Sequence, residues 1–384
     1  MAAQYSHKQF FRRVTSKYLQ QYFDSKKIQL SDFKKLKKPD LIFDAFLELS
    51  EEQQSKIETD FQAVNAMACE GGVRALIDEA GFYQDEGFTD SIAAIDGFHD
   101  KVMWAFLEKT EYWRGASMFL HADNVSASSW KKRNGLPKTP PHVEDEDIEL
   151  LAKAISGFFY RKEGRGRNCK VEPYRRNNKE YFFSYPEDYG QSGIEWESDT
   201  LKTRARHPAF EIIFVYCEEE GSLDIYAPKN TKAVSDLQVI FAKTILKLDT
   251  LPDGKIDERV YDLKPLDNEN FEFQIEPEAG ISSVLVTQIR LTLKQGSKKR
   301  ITLEADANTN SKAVYDLLNK LDLPPYYVTQ TKLKVTFDPV GTSKRAKTRT
   351  FYITHPNSCA LNHDGNDGVI RDMLAKSGIE PAKA

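Results

Sequence analysis

The chain has few cysteines, four in 384 residues, and Cys69, Cys169, Cys217 and Cys359 are widely scattered. No Cys-x-x-Cys pair exists, which argues against a zinc site and for a reduced, cytoplasmic setting. Long apolar runs are missing too. The longest, such as Phe210 to Cys217, are far too short to span a bilayer, so no membrane is expected. Met1 to Phe11 is polar and lacks the apolar centre of a secretory leader. Positive charge is not in excess. The formal net charge is −4, so any nucleic-acid surface must be a local patch. No Gly-Lys-Ser/Thr loop is present, and no nucleophile-elbow glycines flank Ser128 or Ser129 near His121. No cofactor is therefore expected.

What is present is an α+β pattern. Residues 1–142 read as a helical domain. Phe10, Val14, Tyr18, Leu19, Tyr22 and Phe23 have helical spacing. Ser31 begins a further helix that Pro39 interrupts, and Ser50 to Gln53 is a capping box entering a long helix toward Ala68. The run Lys34, Lys35, Lys37, Lys38 reads as a solvated helix end. Gly135 to Pro141 reads as the linker out of this domain. Residues 143–255 read as an α+β domain. A helix from Glu144 to Phe159 is followed by strand-like runs at Cys169 to Tyr174, Tyr181 to Tyr185, Phe210 to Tyr216 and Ser222 to Tyr226. An amphipathic helix, Thr231 to Leu246, closes it.

Residues 256–384 carry a duplication. Val286-Thr287-Gln288-Ile289-Arg290-Leu291 is echoed by Val328-Thr329-Gln330-Thr331-Lys332-Leu333. Each copy runs into a basic turn, then an apolar strand, then a short helix, which predicts two ββα units. Alternate strand residues share a face. Ile289, Leu291 and Leu293 should therefore lie inward, as should Leu333, Val335 and Phe337. Gln288, Arg290 and Thr292, with Gln330, Lys332 and Lys334, should form a polar, partly basic outer face.

Four clusters carry the functional reading. Lys298, Lys299 and Arg300 sit in the first turn. Lys344, Arg345 and Arg349 sit in or just beyond the second. Trp130 beside Lys131, Lys132 and Arg133 would suit a stacked base with phosphates held by the cations, or a Trp that simply anchors the linker. Arg165 and Arg167 flank a glycine, and Arg175 and Arg176 follow one strand later, so a hairpin could gather them into one anion cleft. The alternative for that loop is a solvated charged turn.

Catalytic constellations are weak. Glu211 and Asp224 on strands, with His207 and Lys229 near, could serve a metal-dependent nuclease, but Ile213 stands where a lysine would be wanted. His355, Cys359, His363, Asp364 and Asp367 are explained by turn and cap chemistry.

The strings Trp130-Lys131-Lys132-Arg133, Arg165-Gly166-Arg167-Asn168-Cys169, Tyr185-Pro186-Glu187-Asp188-Tyr189 and His355-Pro356-Asn357-Ser358-Cys359, in that order, resemble those of an uncharacterised bacterial protein family. The resemblance implies a bacterial mobile-element or phage-defence setting and carries no catalytic residue over. The expectation is thus a non-catalytic component that binds a DNA or RNA backbone, or another protein subunit, through basic hairpins. The alternatives are a nuclease or phosphate-ligand enzyme using the middle domain, and a pure scaffold.

Overall fold

The computed structural model describes residues 5–28, 30, 38–126, 129–176, 178–197, 199–252, 261–294, 299–339, 346–361 and 365–380. The chain divides into two compact units, Met1–Val125 and Ser126–Ala384. The class is α+β, as the sequence patterning predicts. No helix among the described residues is long and apolar enough to cross a membrane.

The first unit is helical: α1 (His7–Arg13), α2 (Ser16–Ser25), α3 (Pro39–Leu47), α4 (Glu51–Met67), α5 (Glu70–Phe82), α6 (Phe88–Ala93), α7 (Phe98–Glu108) and α8 (Thr110–Asn124). Pro39 opens α3 at its first turn, where its missing N–H costs nothing. The capping box on α4 forms as expected, with the Gln53 N–H donating to Ser50 Oγ and the Ser50 N–H to Gln53 Oε1. Aromatic rings fill the centre. Phe61 stacks on Phe10 at 4.4 Å and meets Tyr22 at 4.8 Å. The expected helix start at Ser31 and the lysines Lys34, Lys35 and Lys37 lie outside the described residues.

The second unit begins earlier than the expected linker. Trp130 to Arg133 is strand β1 (Trp130–Arg133), because it pairs antiparallel with a strand almost a hundred residues later. There follow α9 (Asp145–Glu163), β2 (Cys169–Arg176), β3 (Lys179–Pro186), β4 (Gln191–Glu197), β5 (Thr200–Arg206), β6 (Ile212–Cys217), β7 (Ser222–Tyr226) and α10 (Val234–Thr244). The first sheet has the order β1-β7-β6-β3-β2 and is antiparallel throughout. Helices α9 and α10 share one core with it, built from Leu151, Phe159, Phe182, Phe214, Leu237 and Phe241. Strands β4 and β5 form a separate two-stranded ribbon.

The second sheet comes from β8 (Ile281–Leu293), β9 (Arg300–Glu304), α11 (Ala313–Leu318), β10 (Tyr326–Phe337), β11 (Thr348–Thr354), β12 (Ser358–Cys359) and α12 (Gly365–Lys376). Its order is β12-β11-β10-β8-β9. The register carries the duplication. Ile289 pairs with its own counterpart Thr331, Leu291 with Val328, and Leu333 with Val286, so the pairing is unchanged when the two copies are exchanged. Two of the three bulges obey the same exchange; the third, at Ser282, lies outside it. Thr287 and Thr329, equivalent in the repeat, are the residues skipped at the two. Their hydroxyls donate to Lys332 O at 3.2 Å and Arg290 O at 3.1 Å, again an equivalent pair. Leu291 and Leu333 are both fully buried in one core with Val314 of α11 and Ile370 of α12.

A buried ion cluster joins the two sheets. Lys132 Nζ lies 2.6 Å from Glu380 and 2.9 Å from Glu220. Arg371 of α12 donates to Glu380 at 3.0 Å, to the Tyr261 hydroxyl at 3.1 Å and to Leu361 O at 2.8 Å. Asp224 is the register partner of Lys132 and equally buried. Burial pushes the Asp224 carboxyl up to about 6 against the pull of Lys132 and Arg371. Lone charges in such a setting would cost several kcal/mol each, so the cluster stands only because it is mutually paired.

Candidate nucleic-acid interface

Directly paired residues in an antiparallel ladder project to the same face. The register therefore gathers Gln288, Arg290 and Thr292 of β8 with Tyr327, Gln330, Lys332 and Lys334 of β10, and with Tyr352 and Thr354 of β11. This is the face away from Leu291 and Leu333, and it is the polar outer face that strand parity predicts. Two of its rings are open to solvent, Tyr327 at 47% and Tyr352 at 39% exposed. Lys332 Nζ lies 5.5 Å from the Tyr352 ring centre and 2.8 Å from Glu304. Lys334 donates to Asn308 at 2.6 Å.

The arginines are less well satisfied. Arg290 is half-buried, and its Nε is buried without a hydrogen-bond partner. Burial, then the neighbouring Arg300, lowers its pKa from the usual guanidinium value. Neither arginine has a carboxylate partner among the described residues. Two like charges side by side on a sheet, without a counter-ion, are poised for an anion.

Where β1 runs beside β12, the Lys132 N–H donates to Asn357 O at 2.9 Å. There the face deepens into a hollow of about 360 Å³ lined by Lys131, Gln288, Gln330, Tyr352, Thr354 and Ser358. Gln330 Nε2 donates to Thr354 Oγ1 at 2.7 Å. Lys131 is half-buried, and burial lowers its pKa. The hollow thus combines one cation, two amides, hydroxyls and a ring.

The other sequence candidates fall elsewhere. Trp130 is buried against Tyr226, with ring centres 5.4 Å apart, so it anchors β1 and offers no stacking surface. Lys132 is consumed by the ion cluster. Arg133 is buried and donates from Nη2 to Pro252 O at 2.9 Å. The structure does not bring Arg165, Arg167, Arg175 and Arg176 together. Arg165 bonds Asp188, beyond the Cys169–Pro186 end of the β2–β3 hairpin, whereas Arg176 pairs with Lys179 at its turn. An eight-residue strand separates them, roughly 20 Å or more at strand rise. Arg165 is also saturated. It donates to Glu163, Asp188 and Asn230 and sits 4.1 Å over the Phe210 ring. Arg175 pairs with the half-buried Glu180 at 3.4 Å, Arg167 is exposed, and Arg176 is buried. Arg349 forms a bidentate pair with Asp367 at 2.8 Å for both bonds, tying β11 to α12. Lys299 and Arg300 are exposed at the start of β9. Lys298, Lys344 and Arg345 lie outside the described residues, as do Ser128, His363 and Asp364.

The carboxylates are not gathered either. Glu211 precedes β6, and Asp224 faces Lys132 inside the ion cluster. No group of three or more His, Cys, Asp or Glu among the described residues could hold a metal ion. Cys359 is buried, and burial pushes its thiol up to about 12, which leaves little thiolate. Tyr327 and Tyr352 were not singled out in the sequence. Their opposite parity to Val328, Phe351 and Ile353 is the signal that places them outward. Comparison with known protein families and with curated proteins finds no match to this chain.

Proposed function

We propose that this protein is a non-catalytic binder of single-stranded nucleic acid, and that the outer face of the second sheet is its contact surface. The observation that carries the reading is the grouping of Arg290, Arg300, Lys332 and Lys334 with the open rings of Tyr327 and Tyr352 on one face. Cations track a phosphate backbone, and tyrosine faces stack on bases of any sequence. The contact shifts from the turn tips, where the sequence first directs attention, to the strands between them. Four free cysteines suit a reduced, cytoplasmic protein. The bacterial mobile-element or defence setting rests on the resemblance of the ordered strings alone.

The test is a gel-shift series with DNA and RNA oligonucleotides at rising salt. Replacing Arg300, Lys332 and Lys334 by Ala should lower the slope of log affinity on log salt by about 2, at about 0.7 per phosphate contact on a single strand. Tyr352→Ala should cost about 1–3 kcal/mol of binding. A parent protein that binds neither polymer at low salt would sink the reading. A second reading, a protein partner, is favoured by the β4–β5 ribbon. Ile194, Trp196 and Leu201 lie on one of its faces, with Trp196 73% exposed. A negative gel shift passes the function to that surface.

A further inference from the structure

Lys131 borders a second cavity on the other side of its own strand end, about 250 Å³ in volume. Its remaining walls include Arg133 of β1 and Thr231, Ser235 and Gln238 at the start of α10. The sequence explains the convergence. Lys131 and Arg133 are two apart on a strand, so they share a face. They pair with Ile225 and Leu223, whose side chains belong to the core beneath α9 and α10. Thr231, Ser235 and Gln238 recur at intervals of four and three, one stripe of a helical surface.

Three donors in this cavity are unspent. Gln238 is 6% exposed, and its amide has no hydrogen-bond partner among the described residues. Arg133 is 7% exposed, and its Nε is buried without a partner while Nη2 is held by Pro252 O. Lys131 is half-buried and has no counter-ion among the described residues. Among the described residues no carboxylate lines the cavity. Asp236 of the first turn is engaged by Lys162 at 2.9 Å. A 3-10 turn, Thr231–Ala233, leads straight into α10 and takes up the Val234 N–H; the start of that turn has no side-chain cap, so partial positive charge gathers at Thr231. A buried donor without a partner, as Arg133 Nε is, costs free energy, and an amide and an ammonium without protein partners beside it mark a place built for an acceptor.

We propose that this cavity is a phosphate-binding site, with Lys131, Arg133 and Gln238 donating to the oxygens of a phosphoryl group seated against the first turn of α10. Thr231 and Ser235 offer hydroxyls at its mouth. Helix start, forked guanidinium and ammonium together match the charge of a phosphate monoester. The volume equals that of roughly eight waters at about 30 Å³ each, which leaves room for the group and a partial hydration shell. The site stands on its own observations and does not depend on the sheet face binding a strand. Because Lys131 also lines the sheet-face hollow, the same phosphoryl group could belong to a free phosphate compound or to the end of a nucleic-acid strand.

The full chain should be titrated with inorganic phosphate by calorimetry in chloride buffer, alongside Lys131→Met and Gln238→Leu. The parent should bind one phosphate, and each variant should bind about tenfold more weakly, the loss of one charge-assisted or amide hydrogen bond. Gln238→Leu is the diagnostic change. It removes an amide that has no protein partner among the described residues, so it should melt no lower than the parent while losing phosphate. A solely structural role would leave phosphate binding unmoved. A parent that takes up no phosphate at millimolar concentration, or a Gln238→Leu protein that binds it as the parent does, overturns the proposal. Paired oligonucleotides with 5′-phosphate and 5′-hydroxyl ends identify the source. A tenfold preference for the phosphorylated end assigns a strand terminus, and phosphate binding without that preference assigns a free phosphate compound. The sheet-face triple alanine variant should keep its inorganic phosphate affinity, which separates failure of the sheet-face reading from failure of this one.

Discussion

Replacing Lys132 by Met tests the ion cluster that joins the two sheets. The side chain is 4% exposed and serves two carboxylates, Glu220 at 2.9 Å and Glu380 at 2.6 Å. Removing one partner from a buried ion pair costs about 3–5 kcal/mol, because the other charge stays buried. Neither carboxylate is wholly stranded here. Ser222 Oγ still donates to Glu220 at 2.9 Å, and Arg371 still donates to Glu380 at 3.0 Å. The lower end, about 3 kcal/mol, is therefore expected. At about 2–4 °C per kcal/mol for a unit of this size, the melting transition of the second unit should fall by roughly 6–12 °C. Scanning calorimetry of the full chain reads it. The loss should also depend on pH. Burial pushes the Glu220 carboxyl up, but Lys132 and Lys179 outweigh it and hold it at about 2. Its ionised form then stabilises the fold above its ordinary value of 4.5, and that contribution is lost as pH falls toward about 2. Without Lys132 the carboxyl rises and takes its proton sooner. The deficit should accordingly be smaller at pH 4 than at pH 7. Adding Glu220→Gln should recover about 1 kcal/mol or more, since it neutralises the carboxylate that has lost its ammonium, whereas Glu380 keeps Arg371. A loss below about 1 kcal/mol, or a deficit equal at both pH values, would refute the view that Lys132 holds the sheets together by charge.

Arg165→Ala should destabilise the second unit by about 2–4 kcal/mol in urea unfolding, through lost charge-assisted hydrogen bonds and the ring contact, with Arg165→Lys recovering little because the fork is lost. A change within about 0.5 kcal/mol would mean that the arginine is not structural. Thr287→Val should cost about 1 kcal/mol and Thr329→Val about 1 kcal/mol or more, since each removes the equivalent hydroxyl bond across the duplication and Thr329 also bonds the buried Thr292 hydroxyl at 3.1 Å. A clear cost at one threonine and none at the other would show that the two bulges are not energetic counterparts.

The duplication was legible in the sequence because strand parity is a local property. Leu291 and Leu333 are separated by the same intervals from the same neighbours, and a period of two fixes which side chains share a face. The Ser50 capping box and the inward stripe of α10 were legible for the same reason. The bulges at Thr287 and Thr329 were not, because a bulge is a relation between two strands.

Charge was where local reading stopped. Trp130, Lys131, Lys132 and Arg133 are consecutive, and the sequence shows a tryptophan beside three equal cations. Parity alone separates Lys132 from Lys131 and Arg133. What lies on each side is decided by residues far along the chain: Glu220 and Glu380 on one, Gln238 and Pro252 on the other. The Arg165 loop shows the same limit, since its partners Asp188 and Asn230 arrive from other connections. Periodicity and capping act over a few residues, so the sequence determined the α+β class, the repeat and the facing of its strands. Whether a cation is spent on a carboxylate or left to meet a ligand depends on desolvation and on partners distant in the chain, and tertiary structure alone sets those.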